Sequence, residues 1–569
     1  MVRSTFTGLN MAFLGLNASQ KALDVTGQNI TNLHTTGYSR QRLDQIAIGP
    51  PGPSPYSTVY GARVGQGVLV TGVSQIRDPY LDNRYRAQLS KVGTEDARYA
   101  VLEDIGDIFD NVDTNRIQEA LDDVVKQLQK LEINVGQGGE DNLVRSTFEV
   151  LLNFVHQNAT DLEGIRTDLE DKMENTVLKD INEILKGIEE YNVTIRNAQV
   201  MGDAALELKD ERNLLIDELA TYFPISITYD KKMMGSECAV ETMAIHIEYT
   251  DANGNSQSLK LVDDDKAATL EFGTRQIPQV DSAGNPVTDA NGNQIMKDQS
   301  FVKVIPADAP TDANGNPDPA SAVELTDVSI PQGVLKGDLQ MLNCSGEFDG
   351  SGVKGIGYYE TLFNSFVYTM ATEMNRLNNQ YGYYLPDADG NRQMDPNTGE
   401  VIMDPNWNGD LFESADGSII TAKNIRISDK WKNGEIRLVA SEDMAKGVPG
   451  TRDNGNILQM AKLLSTEEIK FTYPGYSGIV YEGTMPGAYA NIQGQYGIDS
   501  KGTLSVLDSH MLVLENAADN RESVMGVNLD EEVMSLLKYS QAYGACARLM
   551  TTMDEALERL INNTGIVGR

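Results

Sequence analysis

The stretch LLKYSQAYGACARLMTTMDEALERL, residues 536–560, decides how this chain is read. Leu536, Tyr539, Tyr543, Cys546, Met550, Met553, Leu557 and Leu560 recur at steps of three and four in strict alternation, the a/d seam of a coiled coil. A seam this narrow is shaped to lie against other helices rather than to form one face of a globular core. At the other end of the chain, Leu9, Leu16, Leu23 and Ile30 recur every seven residues and run into the loop Asn29-Ile30-Thr31-Asn32 through Thr36-Gly37-Tyr38-Ser39-Arg40. Gly8, Gly15 and Gly27 each weaken that first helix by about 1 kcal/mol if they lie in its interior, so the helix needs partners to form. Isolated chain is expected to fray at its termini.

Between these ends the texture changes several times. Gly49-Pro50-Pro51-Gly52-Pro53-Ser54-Pro55 is too rich in proline to continue a helix, and Val64 to Val73 reads as short strands. Residues 75–220 carry successive helical seams: Leu102, Ile105, Ile108 or Phe109, Val112; Ile117, Leu121, Val124, Leu128, Leu131; Val144, Phe148, Leu151, Val155; and Ile165 through Leu169, Met173, Val177, Ile181, Ile184, Ile188, Tyr191 and Ile195. Pro224 closes that zone, and alternation in Ile225, Ile227, Tyr229 and in Ala244 to Tyr249 signals strands. Helix returns at Tyr358–Asn379, a second loop-rich and strand-rich stretch runs to about Ser500, and a final helix is expected from near Leu504 with a pause around Gly526. Helical material at both ends with β segments between describes a chain that goes out and comes back.

The predicted fold is α+β, elongated and multidomain, with paired terminal helices, a long antiparallel bundle and inserted β-rich domains. Residues 1–45 with 527–569 form the inner terminal-helix domain. Residues 46–224 with 346–384 and 500–526 form a rod-like helical domain, 225–345 a β-rich insertion, and 385–499 a second insertion.

Composition bounds the function. The 569 residues hold 47 Lys or Arg against 83 Asp or Glu, a net charge of −36, which disfavours a grip on nucleic acid or anionic lipid. Residues 1–100 run the other way, with ten basic against six acidic residues, a net of +4. Cys238, Cys344 and Cys546 form no CxxC pair and the four histidines are scattered, so neither a disulfide framework nor a structural zinc site is expected. The N-terminal apolar stretch, Met11 to Leu16, is shorter than the roughly seven-residue minimum of a cleavable signal core, and no run reaches the roughly eighteen apolar residues of a membrane span.

Three patterns invite chemistry and are better read plainly. The pentads Asp251-Ala252-Asn253-Gly254-Asn255, Asp289 to Asn293 and Asp312 to Asn316, with a looser copy at Asp281 to Asn285, open like calcium loops. They lack the closing twelfth-position glutamate, which is Ser300 in the copy that starts at Asp289, and Asn-Gly between β-prone runs marks hairpins. Gly350-Ser351-Gly352-Val353-Lys354-Gly355 fits GxGxxG but has no apolar strand before it, so it reads as a loop leading into a helix. The methionines of the terminal seam could line a ligand groove, but their regular spacing favours helix packing. No GxSxG, HExxH or GxxxxGK[ST] occurs, and His34, His156, His246 and His510 stand outside any catalytic motif. No catalytic residue, metal or cofactor is expected.

Leu16 and Ala22 ahead of Asn29-Ile30-Thr31-Asn32, followed by Thr36-Gly37-Tyr38-Ser39-Arg40-Gln41, resemble the N-terminal signature of the bacterial flagellar rod, hook and hook-associated axial proteins. The tail narrows the resemblance: Asn520-Arg521-Glu522-Ser523-Val524, Gly526 to Glu532, Tyr539, Gln541-Ala542-Tyr543, Ala545 and Ala547 are similar to the hook–filament junction members of that family. Asp210-Glu211-Arg212-Asn213-Leu214-Leu215 with Glu218-Leu219, and Arg452-Asp453-Asn454-Gly455-Asn456 with Leu458 and Leu463, resemble interior elements of the same members.

The resemblance implies a structural protein of the extracellular flagellum, exported without a cleaved signal and built into a ring through paired terminal helices. It implies as partners further copies of the chain, hook protein, the second junction hook-associated protein and a flagellar export chaperone, with no nucleic acid and no membrane insertion. The assembly residues are then Leu9, Leu16, Leu23 and Ile30; Asn29, Asn32, Gly37 and Tyr38 in the outward-turning loop; and Leu536, Tyr539, Tyr543, Met550, Met553, Leu557 and Leu560. Asparagine suits the loop because its side chain caps backbone groups, and Gly37 because it can take positive φ. Competing readings are hook protein itself, which is not expected to carry the long coiled segment 95–220, a secreted adhesin with β-rich binding domains, and a hydrolase housed in the β region.

Overall fold

The computed structural model describes residues 5–49, 65–109, 116–133, 140–234, 238–251, 253–279, 286, 294, 296–310, 318–345, 348, 352–380, 393, 395–396, 402, 407–440, 454–476 and 478–563. The chain opens with helix α1 (Thr5–Thr31) and an antiparallel hairpin, β1 (Gln41–Ile48) and β2 (Gly67–Gln75). Helices α2 (Pro79–Phe109), α3 (Arg116–Ile133), α4 (Glu140–Lys172), α5 (Leu178–Val200) and α6 (Leu206–Tyr222) follow. The first insertion holds β3 (Ile225–Met234), β4 (Cys238–Thr250), β5 (Ser256–Asp263) and β6 (Lys266–Ala267) in one antiparallel sheet. A second sheet holds β7 (Thr269–Pro278), β8 (Met296–Ile305) and β9 (Val323–Leu325). After α7 (Val334–Asn343) and α8 (Ile356–Gln380) come β10 (Phe412–Ser414), β11 (Ile425–Ile427), α9 (Asp429–Lys432), α10 (Gly455–Ser465), β12 (Ile469–Phe471) and β13 (Tyr481–Gly483). The chain returns through α11 (Met485–Met525) and α12 (Leu529–Asn563).

The fold is α+β, with helices dominant and the sheets small. It is also extended: its accessible surface is 30574 Å² for 62.3 kDa, against about 20,000 Å² for a compact monomer of that mass. One continuous apolar core runs through the bundle and both insertions, but it includes no residue of α1 or α12.

Most of the described residues in the seams read from spacing lie on the buried faces of the bundle, with Ile165 and Tyr191 half-buried and Val112 outside the described residues. Ile117, Leu121, Val124, Leu128 and Leu131 of α3 are buried, as are Val144, Phe148, Leu151 and Val155 of α4. The steps from Ile165 through Leu169, Met173 and Val177 to Ile181 are each four residues, and repeated steps of four drift ahead of a 3.6-residue turn. A π-helical turn at Met173–Val177, between α4 and α5, absorbs that drift and keeps Met173 and Val177 inside. Just before it, Lys172 Nζ lies 3.7 Å from Asp338 of α7, a carboxylate with no exposed surface.

The final helix starts earlier than its sequence suggests. Sequence spacing put its start near Leu504; Gly487, Gly494, Gly497 and Gly502 make the segment before that residue a poor helix by propensity. Instead Thr484 caps α11 by accepting from the Gly487 N–H at 3.1 Å. Met485, Ala488, Tyr489 and Ile492 are buried in the bundle, and that packing overrides propensity. The expected pause at Gly526 is present, between α11 and α12.

The pentad at Asp251 is a turn. Asp251 Oδ1 accepts from the N–H groups of Asn253 and Asn255 at 2.9 and 2.8 Å, and Gly254 has φ of 81°. The other three pentads lie outside the described residues. The described part of the GxGxxG run leads into α8, and its lysine is tied to the rod: Lys354 Nζ donates to Asp499 of α11 at 2.9 Å.

Candidate assembly interface at the chain termini

α1 and α12 pack antiparallel, and the residues in contact on α1 are small. Gly8 faces Met553 and Gly15 faces Cys546. The same seven-residue register carries Ala22 to Tyr539 and Asn29 to Glu532. On that face Gly8, Ala12, Gly15, Ser19, Ala22, Thr26 and Asn29 follow one another at steps of four and three, and Ala12, Ser19, Ala22, Thr26 and Asn29 are buried. Small residues at every step let the larger side chains of α12 sit directly over the α1 backbone. The hairpin covers another side of α1, with Gly67 against Met11 and Leu14.

Leu9, Leu16, Leu23 and Ile30 stand one position along from this small-residue seam and are half-buried. On α12, Tyr539, Met550, Met553 and Leu557 are half-buried, while Leu536 and Tyr543 are exposed. The side chain of Leu560 lies outside the described residues. Large apolar groups therefore remain on the surface of the pair: Phe6 and Phe13 on α1 are 66% and 53% exposed, and Leu529, Val533, Met534 and Leu537 on α12 are exposed with them.

The loop after α1 turns the chain by side-chain hydrogen bonds. Asn29 pairs with the Gln41 backbone in both directions, its Nδ2 donating to Gln41 O and its Oδ1 accepting from Gln41 N, both at 2.9 Å. Tyr38 donates to the same Oδ1 at 2.9 Å. Burial pushes the Tyr38 hydroxyl well above its ordinary range, and the carboxylates of Glu207, Asp210 and Glu532 add to the shift. Asn32 accepts from Thr35 Oγ1 at 3.1 Å. Gly37 takes φ of 76° and lies under Leu214, where a Cβ would come within 2.6 Å of that side chain.

From this loop a chain of alternating charges crosses into the rod. Ser39 donates from N and Oγ to Asp210 of α6 at 3.0 and 2.7 Å. Burial nevertheless holds the Asp210 carboxyl above its ordinary range, against those bonds and the charge of Arg77. Arg77 reaches Asp210 at 3.5 Å and Asp82 at 3.0 Å. Arg521 of α11 reaches Asp217 at 2.6 Å and Asp82 at 3.7 Å, and Arg86 meets Asp217 at 2.6 Å. Arg40 closes the other side: its N–H donates to Met525 O at 2.9 Å, and its guanidinium holds Glu531 and Glu532 at 2.7 Å each. Those acids lie in the first turn of α12, where they also complement the helix dipole.

Tyr38-Ser39-Arg40-Gln41, Asp210 to Asn213 and Arg521, noted only as separate sequence signatures, thus meet at one node between the terminal pair and the rod. Arg77, Asp82, Arg86 and Asp217 carry no pattern that spacing could single out. The small-residue repeat on α1 was legible in principle, since it keeps the same three-four rhythm as the seam of α12.

Several other reactive groups are engaged structurally. His156 sits 2.7 Å from Ile425 O and His510 3.0 Å from the Gln88 amide. Burial, with Asp327 beside it, pushes the Cys344 thiol up to about 12, which makes it a poor nucleophile. Among the described residues, no group of histidine, cysteine and carboxylate side chains is placed to hold a metal ion.

A family model of the flagellar hook-associated protein FlgK helical domain matches residues 102–393, more than half of the chain. A model of the flagellar basal body rod FlgEFG protein C-terminal region matches residues 521–563, the end of α11 and all of α12. The chain is 26% identical to flagellar hook-associated protein 1 of Bacillus subtilis (strain 168), over the whole of both chains. It is 23% identical to flagellar hook-associated protein 1 of Escherichia coli (strain K12), over 97% of this chain and 99% of that one. Among solved structures, the flagellar hook junction protein FlgK from Burkholderia pseudomallei aligns with a TM-score of 0.49 at 11% identity, covering 78% of this chain and all of that one.

Proposed function

This chain belongs to the flagellar hook-associated protein FlgK family, a structural component of the bacterial flagellum, and from that premise we propose that it is the adaptor joining hook to filament, assembled into a ring through its terminal helices. The observation that carries the proposal is the half-covered state of the terminal pair. α12 covers the small-residue seam of α1, whereas Phe6 and Phe13 of α1 and Leu529, Val533, Leu536, Leu537 and Tyr543 of α12 stay exposed. Burying one such side chain fully contributes about 1.5–3 kcal/mol, and the natural cover is the same pair on a neighbouring copy.

In this reading Leu9, Leu16, Leu23 and Ile30 and the α12 residues Leu536, Tyr539, Tyr543, Met550, Met553, Leu557 and Leu560 build the shared layer. Asn29, Asn32, Gly37 and Tyr38 set the direction in which the chain leaves it. Hook protein lies on one side of the ring and the second junction hook-associated protein on the other. The chain reaches this extracellular position through the flagellar export path, with an export chaperone. Among the described residues, no helix is long and apolar enough to cross a membrane.

The test is Leu557→Asp, which sets a charge into the layer while leaving the bundle intact. Cells carrying it in place of the normal chain are expected to show hooks by electron microscopy and to shed filaments into the medium, while the variant purifies as a soluble chain with a folded bundle. Normal attached filaments would overturn the proposal.

A further inference from the structure

α11 carries apolar side chains on more sides than its partner covers. It packs along α2, and Thr503, Leu507 and Ala517 on its inner stripe are buried. Leu504 and Met511, seven residues apart, lie on one flank of that seam and are 36% and 52% exposed. A helix that is apolar well beyond its buried stripe is built to be covered. This flank is rimmed by Asp508, Glu515, Asp519 and Glu522, all exposed.

α2 presents the opposite chemistry. Tyr80, Arg84, Ala87 and Lys91 follow at i, i+4, i+7 and i+11 on one face, with Tyr80 69% exposed, Arg84 and Ala87 exposed and Lys91 half-buried at its end. Gln88 hydrogen-bonds His510 at 3.0 Å, so this stripe runs at the same level of the rod as the α11 flank. Among the described residues, neither Arg84 nor Lys91 forms an ion pair with any of the four acids on the flank.

We propose that the Tyr80–Lys91 stripe of α2 in one copy docks against the Leu504–Met511 flank of α11 in the next copy. The occupant is a second copy of this chain because the two surfaces complement each other: a basic stripe with an aromatic end against an apolar flank with an acidic rim. The stripes are unlike, so neither completes itself across a two-fold axis. Each copy offers one to the neighbour on one side and the other to the neighbour on the other, which generates a closed ring or an open helix rather than a dimer. This inference rests on the self-assembly reading above and adds the rod as a second contact layer.

The test places a photo-crosslinking amino acid at Met511 of the full chain, expressed in cells lacking their own copy, with isolated flagella analysed by mass spectrometry. The expected product is a dimer joined between residue 511 of one copy and a peptide spanning 79–91 of another. A companion variant, Arg84→Glu with Lys91→Glu, is expected to lose incorporation into flagella and to regain it when Asp508→Lys and Glu515→Lys are added. Crosslinks that form elsewhere or not at all in intact junctions, or a double reversal that incorporates normally, would overturn the inference and leave the adaptor role standing. Absence of the wild-type chain from the hook–filament boundary would overturn both.

Discussion

Gly15 of α1 and Cys546 of α12 meet with nothing between them: a Cβ on Gly15 would stand 2.8 Å from the Cys546 Sγ. The glycine that weakens α1 as an isolated helix is therefore what lets α12 approach it. Helix propensity and close packing conflict at this position, and packing decides the residue.

Gly15→Val is expected to loosen the terminal pair by about 1–3 kcal/mol through overpacking. Amide exchange should quicken across residues 5–31 while α3 to α5 keep their protection. Gly27→Ala is the contrast, since nothing lies within 4 Å of its Cβ position, and it should slow exchange in α1 with a gain of up to about 1 kcal/mol. Equal effects from the two changes would contradict the packing described.

Arg40→Ala removes the guanidinium from Glu532, whose side chain is 3% exposed. An uncompensated buried carboxylate at the first turn of α12 should cost about 1–3 kcal/mol, seen as faster exchange over residues 526–540. In a Glu532→Gln background the same change should cost distinctly less. A double-mutant cycle with no coupling would rule out the clamp.

Asn29→Ala strands the Gln41 N–H and C=O and the Tyr38 hydroxyl, all buried. The expected cost is about 2–4 kcal/mol of local stability. It should appear as lost protection in β1 with no change in the β3–β4 sheet, and protection in β1 equal to wild type would count against it.

Asp338 makes stability depend on pH. Burial raises its carboxyl from 3.8 to about 6, against the nearby Lys172, so the folded chain holds this proton more tightly than the unfolded chain does. Its contribution is most favourable below about pH 4, is lost as pH rises towards 6, and stays lost above that. Asp338→Asn should therefore stabilise the bundle by about 2–3 kcal/mol at pH 7–8 and have little effect at pH 4. Denaturant midpoints at the two pH values check this, and an equal change at both would contradict it.

The bundle was legible in the sequence because Leu121, Phe148, Ile181 and their fellows are large, apolar and helically spaced, and burial selects for that pattern. Even the π-helical turn left a trace, in the run of four-residue steps from Ile165 to Ile181. The face of α1 that meets α12 was legible only as a three-four rhythm of small residues, a weaker signal than the leucines beside it because glycine, alanine and serine carry little apolar area. The start of α11 lies earlier than Leu504 because Tyr489 and Ile492 are held by tertiary packing, which a glycine-rich local sequence does not display. The charged node could not be found by spacing at all, since Ser39, Asp210 and Arg521 come from three distant parts of the chain and only the fold brings them together.

That node has a consequence for how a whole molecule is told from a fragment. Arg77, Arg86 and Arg521 balance Asp82, Asp210 and Asp217 one for one, and the third arginine arrives near the end of the polypeptide. A chain that stops short of Arg521 confronts three enclosed carboxylates with two guanidiniums and lacks α12, the helix that covers the small-residue seam of α1. Charge balance in the inner half of the protein thus depends on a residue from its next-to-last helix, so the two ends of the chain are tied together electrically as well as by packing.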